Sequence, residues 1–200
     1  MEEHEITIKV TISYEELVKL LEEKGMKHRV DFNVTDQYMI AEEFNDLEKY
    51  DEKRLINMSV RIRKFEYSAS QEDKNRREIV KKNKNFDEND DIINEEKVVC
   101  TIKDEKEAMK LLKSLGYVEL VTIEQKLTDY IKDNIIFTIS QIDDEVYLEL
   151  ESHDMQGNKI FLSVDDMIEE IDKYDIPHEN GKYFQQKAIN KLKKLRAEKK

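Results

Sequence analysis

Apolar and polar residues alternate without a break over residues 5–12, with Ile6, Ile8, Val10 and Ile12 set against Glu5, Thr7, Lys9 and Thr11. A period of two is that of a half-buried strand. Ser13 stands three residues before Glu16, a capping-box spacing, and Leu17, Leu20 and Leu21 then form one helical stripe that Gly25 can end in a left-handed conformation. A weaker strand pattern follows over residues 30–40, through Val30, Phe32, Val34, Tyr38 and Ile40, and an acidic connection continues it to Asp51. Residues 57–63 alternate again, Met58, Val60 and Ile62 against Ser59, Arg61 and Arg63.

The stretch 64–97 is dense in charge and carries the turn-like run of residues 85–91, so it reads as a charged mobile loop with a short strand at 77–82. Val98 to Ile102 predicts another strand. Asp104 and Glu107 open a helix with the stripe Ala108, Leu111, Leu112 and Leu115, stopped by Gly116. Three strands are predicted near 118–131, 134–142 and 145–152, with Asp133-Asn134 and Asp143-Asp144 as turns between them. Ser163 and Asp166 open a helix through Tyr174, Pro177 breaks the chain, and a basic C-terminal helix runs over 183–199. About eight strands and four helices in 200 residues give an α+β protein, expected as a single domain over 1–200.

Charge narrows the function classes. The chain has 46 acidic and 34 basic side chains and a net charge of -12, which argues against non-specific binding to nucleic acid or an anionic membrane. The lysine-rich C-terminus is also what the helix dipole favours. Cys100 is the lone cysteine, so no intrachain disulfide or multi-cysteine zinc site is available, and a reducing compartment fits. No apolar run approaches the roughly 18 to 20 residues that span a bilayer, and the N-terminus is acidic where a signal peptide is basic, so the expected location is cytoplasmic. His4, His28, His153 and His178 lack metal-ligand spacing, and no Walker or Rossmann fingerprint occurs. An oligomer is left open.

The chemistry lies on the polar faces of the strands. In residues 145–151 Glu145, Tyr147, Glu149 and Glu151 alternate with Val146, Leu148 and Leu150, which sets Glu149 and Glu151 about 6–7 Å apart on one face. A divalent cation relieves such repulsion, and Mg²⁺ commonly uses one or two carboxylates plus substrate phosphates. An ordinary solvated sheet face is the alternative. Arg61 and Arg63 form a matching cationic pair, and two cations about 6 Å apart repel by roughly 3 kcal/mol at an effective dielectric of 20, which calls for an anion. Carboxylates with metal on one side and lysine and arginine on the other are what a polyphosphate requires.

These pieces resemble the CYTH proteins, or triphosphate tunnel metalloenzymes, which include thiamine triphosphatases, inorganic tripolyphosphatases and class IV adenylyl cyclases. The family's E-x-E-x-K is matched by Glu5-x-Thr7-x-Lys9, its L-R-I-R strand by Val60-Arg61-Ile62-Arg63, and its E-I-E strand by Glu149-Leu150-Glu151. Leu115-Gly116-Tyr117 resembles its L-G-F turn and Asp36-x-Tyr38 its D-x-Y, and the pieces keep family order over roughly residues 3–190.

The resemblance implies an antiparallel eight-stranded β-barrel, or tunnel, with peripheral helices. It implies Mg²⁺ or Mn²⁺ held by Glu5, Glu149 and Glu151, with Glu149, Glu151 and Lys9 catalytic. Lys9, Arg61, Arg63, Lys81 and Lys126 would bind phosphate, with Lys82 as close a match as Lys81, and Tyr130 would be the aromatic that follows the family's K-R pair. The expected function is a divergent metal-dependent triphosphate phosphohydrolase whose partner is a triphosphate-containing small molecule. The alternatives are a class IV-type adenylyl cyclase and a non-catalytic binder of polyphosphate or organic phosphate. The sequence departs from the family pattern at Thr7 in place of the second glutamate, Leu127 in place of the arginine, and Ser140 in place of an aspartate. Glu3 shares the strand face of Glu5.

Overall fold

A computed structural model describes residues 5–86, 92–152, 161–179 and 182–198. It contains eight strands and five α-helices among these residues, and the strands order as β1-β8-β7-β6-β2-β3-β4-β5 in an antiparallel sheet. The α+β class and strand number expected from the sequence are present. The chain forms two compact units, Met1–Phe32 with Gln125–Gln185, and Asn33–Glu124 with Gln186–Lys200.

In the first unit β1 (Glu5–Val10) buries Ile6, Ile8 and Val10, the apolar half of its alternation. They pack on Leu17 and Leu21 of α1 (Tyr14–Glu23) and on residues of a later helix. Both halves of the capping box at Ser13 and Glu16 form, satisfying two helix-end donors, and Gly25 ends the turn at φ +86°. β2 (Lys27–Ala41) begins here and ends in the second unit.

β6 (Tyr117–Lys132), β7 (Ile135–Ile142) and β8 (Glu145–Glu151) are successive antiparallel strands. Asp133 and Asn134 both take positive φ, 51° and 63°, the geometry of a two-residue hairpin turn whose twist suits the strands. The outer edge of β1 is covered by backbone bonds from Thr7 and Thr11 to the carbonyls of Tyr183 and Pro177, and from Glu179 and Gln185 back to β1.

The second unit departs further from expectation. Residues 57 and 58 end a short helix, α2 (Glu52–Met58), rather than opening a strand, because Asp51 caps its N-terminus through the Arg54 amide and Leu55 is buried beneath it. The strand β3 is Val60–Tyr67. The expected mobile loop over 64–97 contains a 3-10 turn at Ala69–Lys74 and two long paired strands, β4 (Arg76–Phe86) and β5 (Ile92–Thr101). Residues 96–101 of β5 are exposed on both faces, so backbone pairing rather than apolar burial holds this hairpin, and its hydrophobic period is faint. The turn-like run at 85–91 lies largely outside the described residues.

α3 (Glu105–Ser114) is capped by Asp104 and buries Ala108 and Leu112 against Met39 and Ile62. Its stripe is narrower than predicted, since Leu111 and Leu115 are 56% and 64% exposed. In the first unit α4 (Val164–Asp172) is capped by Ser163, and its Met167 and Ile171 are the helix residues that complete the core over β1. The basic helix α5 (Lys187–Glu198) starts four residues after the predicted boundary and lies in the second unit. Its Arg196 pairs with Glu52 at 2.9 Å and donates to the carbonyls of Leu47 and Tyr50, so one of its charges ties α5 to α2. No helix among the described residues is long and apolar enough to cross a membrane.

Candidate functional site

The first unit carries an acidic sheet face. Register pairs Glu5 with Glu151, Thr7 with Glu149 and Lys9 with Tyr147, so these six residues and Glu145 share the face opposite Ile6, Ile8, Leu148 and Leu150. The predicted ligands Glu5, Glu149 and Glu151 are thus brought together with Lys9. Thr7, where the family has a glutamate, is 4% exposed and donates its hydroxyl proton to Glu5 Oε1 at 3.1 Å.

Lys9 Nζ is 2.5 Å from Glu145 Oε1, and the Tyr147 hydroxyl donates to the other oxygen of that carboxylate at 2.5 Å. Across the sheet Thr138 lies opposite Glu149 and Ser140 opposite Tyr147. Thr138 donates to Asp129, Ser140 donates to Gln125, and Arg29 is 3.7 Å from Asp129.

Lys126 is not part of this group. It pairs with Gln141, on the face shared by Tyr130 and Phe137, while Leu127 pairs with Ser140 on the acidic face. A strand residue one position out of register points to the opposite side, so Lys126 stands on the side away from the acidic group.

No group of three or more His, Cys, Asp or Glu side chains able to hold a metal ion converges among the described residues. Mg²⁺ and Mn²⁺ are commonly bound through one or two carboxylates together with phosphate oxygens, and Glu5, Glu149 and Glu151 share one face of the sheet. Glu3, His4 and His153 lie outside the described residues.

The second unit carries a cationic face. Arg61 pairs with Val80 and Arg63 with Glu78, which sets both arginines and Lys82 on one side of the sheet. Lys81 points to the other side, where its ammonium donates to the carbonyls of Asn57 at 2.5 Å and Ser59 at 3.1 Å and so closes the C-terminus of α2. Burial pushes its pKa down. Lys81 caps a helix rather than joining the arginine face, on which Lys82 stands.

Asp36, at 2% exposure, is the hub. Arg63 donates to it twice, Nε to Oδ1 at 2.6 Å and Nη2 to Oδ2 at 2.6 Å. Arg61 Nη1 lies 3.4 Å from Oδ2 and donates to the Tyr38 hydroxyl oxygen at 3.2 Å. Burial by itself would raise the Asp36 pKa, but Arg61, Arg63 and the charge of Lys187 outweigh it and hold the carboxyl at about 2.

Arg61 is itself 8% exposed, and its Nε and Nη2 are buried with no hydrogen-bond partner among the described residues. Lys187, whose charge acts on Asp36 from α5, was not singled out by the sequence. Asp36 and Tyr38 had a visible signal: they fall on the even, apolar positions of the strand beside Val34 and Ile40, and a carboxylate there requires a buried cation.

With this topology the chain has the CYTH, or triphosphate tunnel metalloenzyme, fold. The adenylyl cyclase candidate HpAC1 from Hippeastrum, described with a dominant triphosphatase activity, superposes with a TM-score of 0.58 at 13% identity, covering 97% of this chain and 96% of that one. An adenylate cyclase candidate from Vibrio parahaemolyticus gives 0.58 at 9% identity, covering 97% and 98%. A chain of the Schizosaccharomyces pombe Mediator head module gives 0.52 at 10% identity, covering 98% and 94%, so similarity of fold alone does not select a function. No family model and no curated protein sequence matches the chain.

Proposed function

We propose that this chain is a divergent metal-dependent triphosphate phosphohydrolase acting on tripolyphosphate or on a nucleoside or thiamine triphosphate. The observation that carries the reading is the buried Nε–Nη2 side of Arg61, which has no hydrogen-bond partner among the described residues. A buried guanidinium with two unpaired N–H groups costs free energy until an oxyanion supplies the acceptors, and its Nε and Nη2 are spaced for two oxygens of one phosphate. The dominant triphosphatase activity described for HpAC1 supports the same substrate class.

A Mg²⁺ or Mn²⁺ ion held by one or two of Glu149, Glu151 and Glu5 together with substrate phosphate oxygens would supply Lewis-acid polarisation of the phosphoryl group. Lys9, on the same face as these carboxylates, stabilises the negative charge that grows on the transferred group. Glu145, fixed by the Tyr147 hydroxyl, orients the Lys9 ammonium.

Two observations favour a second reading, a phosphate binder without turnover: Thr7 replaces a carboxylate, and apolar Leu127 stands on the acidic face beside Ser140. Cyclisation of ATP uses the same groups, with the ribose hydroxyl as nucleophile in place of water. Glu149→Ala separates these readings when ATP and tripolyphosphate products are resolved by chromatography. A hydrolase releases phosphate in Mg²⁺ and loses that release in the variant. Pyrophosphate with cyclic AMP as the ATP products would establish the cyclase, and tight binding with no product would establish the binder.

A further inference from the structure

The two arginines of β3 occupy equivalent positions in the alternation, yet their donors are committed differently. Arg63 presents its Nε–Nη2 side to Asp36 and makes two bonds of 2.6 Å with it. That side of a guanidinium matches one carboxylate or one phosphate, not both together. Arg61 engages Asp36 and Tyr38 through Nη1 alone, at 3.4 and 3.2 Å, and its own Nε–Nη2 side is buried with no hydrogen-bond partner among the described residues. Oδ2 of Asp36 is shared by Nη2 of Arg63 and Nη1 of Arg61, so one buried carboxylate fixes both groups.

We propose that Arg61 and Arg63 divide the work: Arg61 alone presents a two-pronged donor to the oxyanion, while Asp36, held by Arg63, is the positioning residue that aims it. The proposal rests on the phosphate-binding reading above and assigns unlike roles to residues that the sequence pattern makes alike. Tyr38 is a second strut, since its hydroxyl oxygen accepts from the same Nη1 that reaches Asp36. An anion that binds Arg61 therefore leaves the Asp36–Arg63 pair intact.

The test is calorimetric titration of tripolyphosphate into the full chain and its Arg61→Lys, Arg63→Lys, Asp36→Asn, Asp36→Glu and Tyr38→Phe variants, with circular dichroism to confirm folding. Arg61→Lys keeps the charge and removes the two-pronged geometry, so affinity falls about tenfold or more, the scale of one charge-assisted hydrogen bond. Arg63→Lys lowers the melting temperature and weakens binding less than Arg61→Lys does, as expected for a residue that acts only through Asp36. Asp36→Asn weakens binding and Asp36→Glu restores part of it. If Asp36→Asn does not fold, Tyr38→Phe, which should weaken binding less and in the same direction, carries the test of positioning.

Arginine Nε–H resonances give a reading that fold stability does not move. The Arg61 signal shifts on titration while the Arg63 signal stays in place. Equal or greater loss in Arg63→Lys, or an Arg63 signal that moves with ligand, overturns the division of roles. Sulfate and citrate serve as further probes. A chain that ignores tripolyphosphate but binds one of these through Arg61 keeps the division and refutes the triphosphate reading, and a chain that binds no oxyanion overturns both.

Discussion

Replacing Asp36 with asparagine keeps the shape of the side chain and removes its charge from between Arg61 and Arg63. The Asp36 carboxyl titrates at about 2 instead of its ordinary 3.8. A shift of that size corresponds to about 2 kcal/mol of stability at neutral pH, at roughly 1.4 kcal/mol per pKa unit. The folded-state pKa is depressed, so this stability is complete above pH 4 and is lost as the pH falls through 2. The variant also leaves the buried Arg61 and the half-buried Arg63 guanidinium groups without their counter-ion, and breaking a buried pair costs about 3–5 kcal/mol. The expected loss at pH 7 is therefore about 2–5 kcal/mol, a large part of the stability of a small domain.

Urea unfolding of the wild type and Asp36→Asn at pH 7, and then at steps down to pH 2.5, measures both components. The gap between the two proteins should be widest above pH 4 and narrow steadily below it. A gap under about 1 kcal/mol at pH 7 would refute the hub role of Asp36, as would a gap of constant size between pH 5 and pH 2.5.

Two further outcomes test assignments made from register and backbone geometry. Lys81→Met retains the apolar stem but loses the donors that close α2, which should cost about 1 kcal/mol in urea unfolding and leave tripolyphosphate affinity unchanged; a loss of affinity would return Lys81 to the phosphate site. Gly116→Ala meets no atom within 4 Å of the new Cβ but must hold φ at +81°, so it should destabilise by about 1 kcal/mol through the backbone alone, and a neutral result in the same assay would contradict that.

The first unit was legible because its strands are half-buried and its turns chemically explicit. Ile6, Ile8 and Val10 disclose β1, Ser13 and Glu16 the start of α1, and Asp133-Asn134 the hairpin. The second unit hides its strands because β4 and β5 are joined mainly through backbone, with Val80 their buried anchor. The short helix α2 hides for another reason: Met58, Val60 and Ile62 happen to alternate across its end.

Site residues followed the same division. Glu5, Glu149, Glu151 and Lys9 lie on strands whose phase is unambiguous, so their shared face could be read directly. Lys81 and Lys126 lie one residue out of phase, an error that motif spacing does not detect and ladder register does. The Asp36–Arg61–Arg63 cluster joins residues 25 and more apart in sequence, and only the pairing of strands reveals which donors remain open.

Phosphate release from tripolyphosphate by the unaltered chain, followed in Mg²⁺ and again in EDTA, tests the central claim most directly. The account predicts steady release in Mg²⁺ that stops when EDTA removes the metal. Release that continues undiminished in EDTA, or no release in either condition, would contradict it.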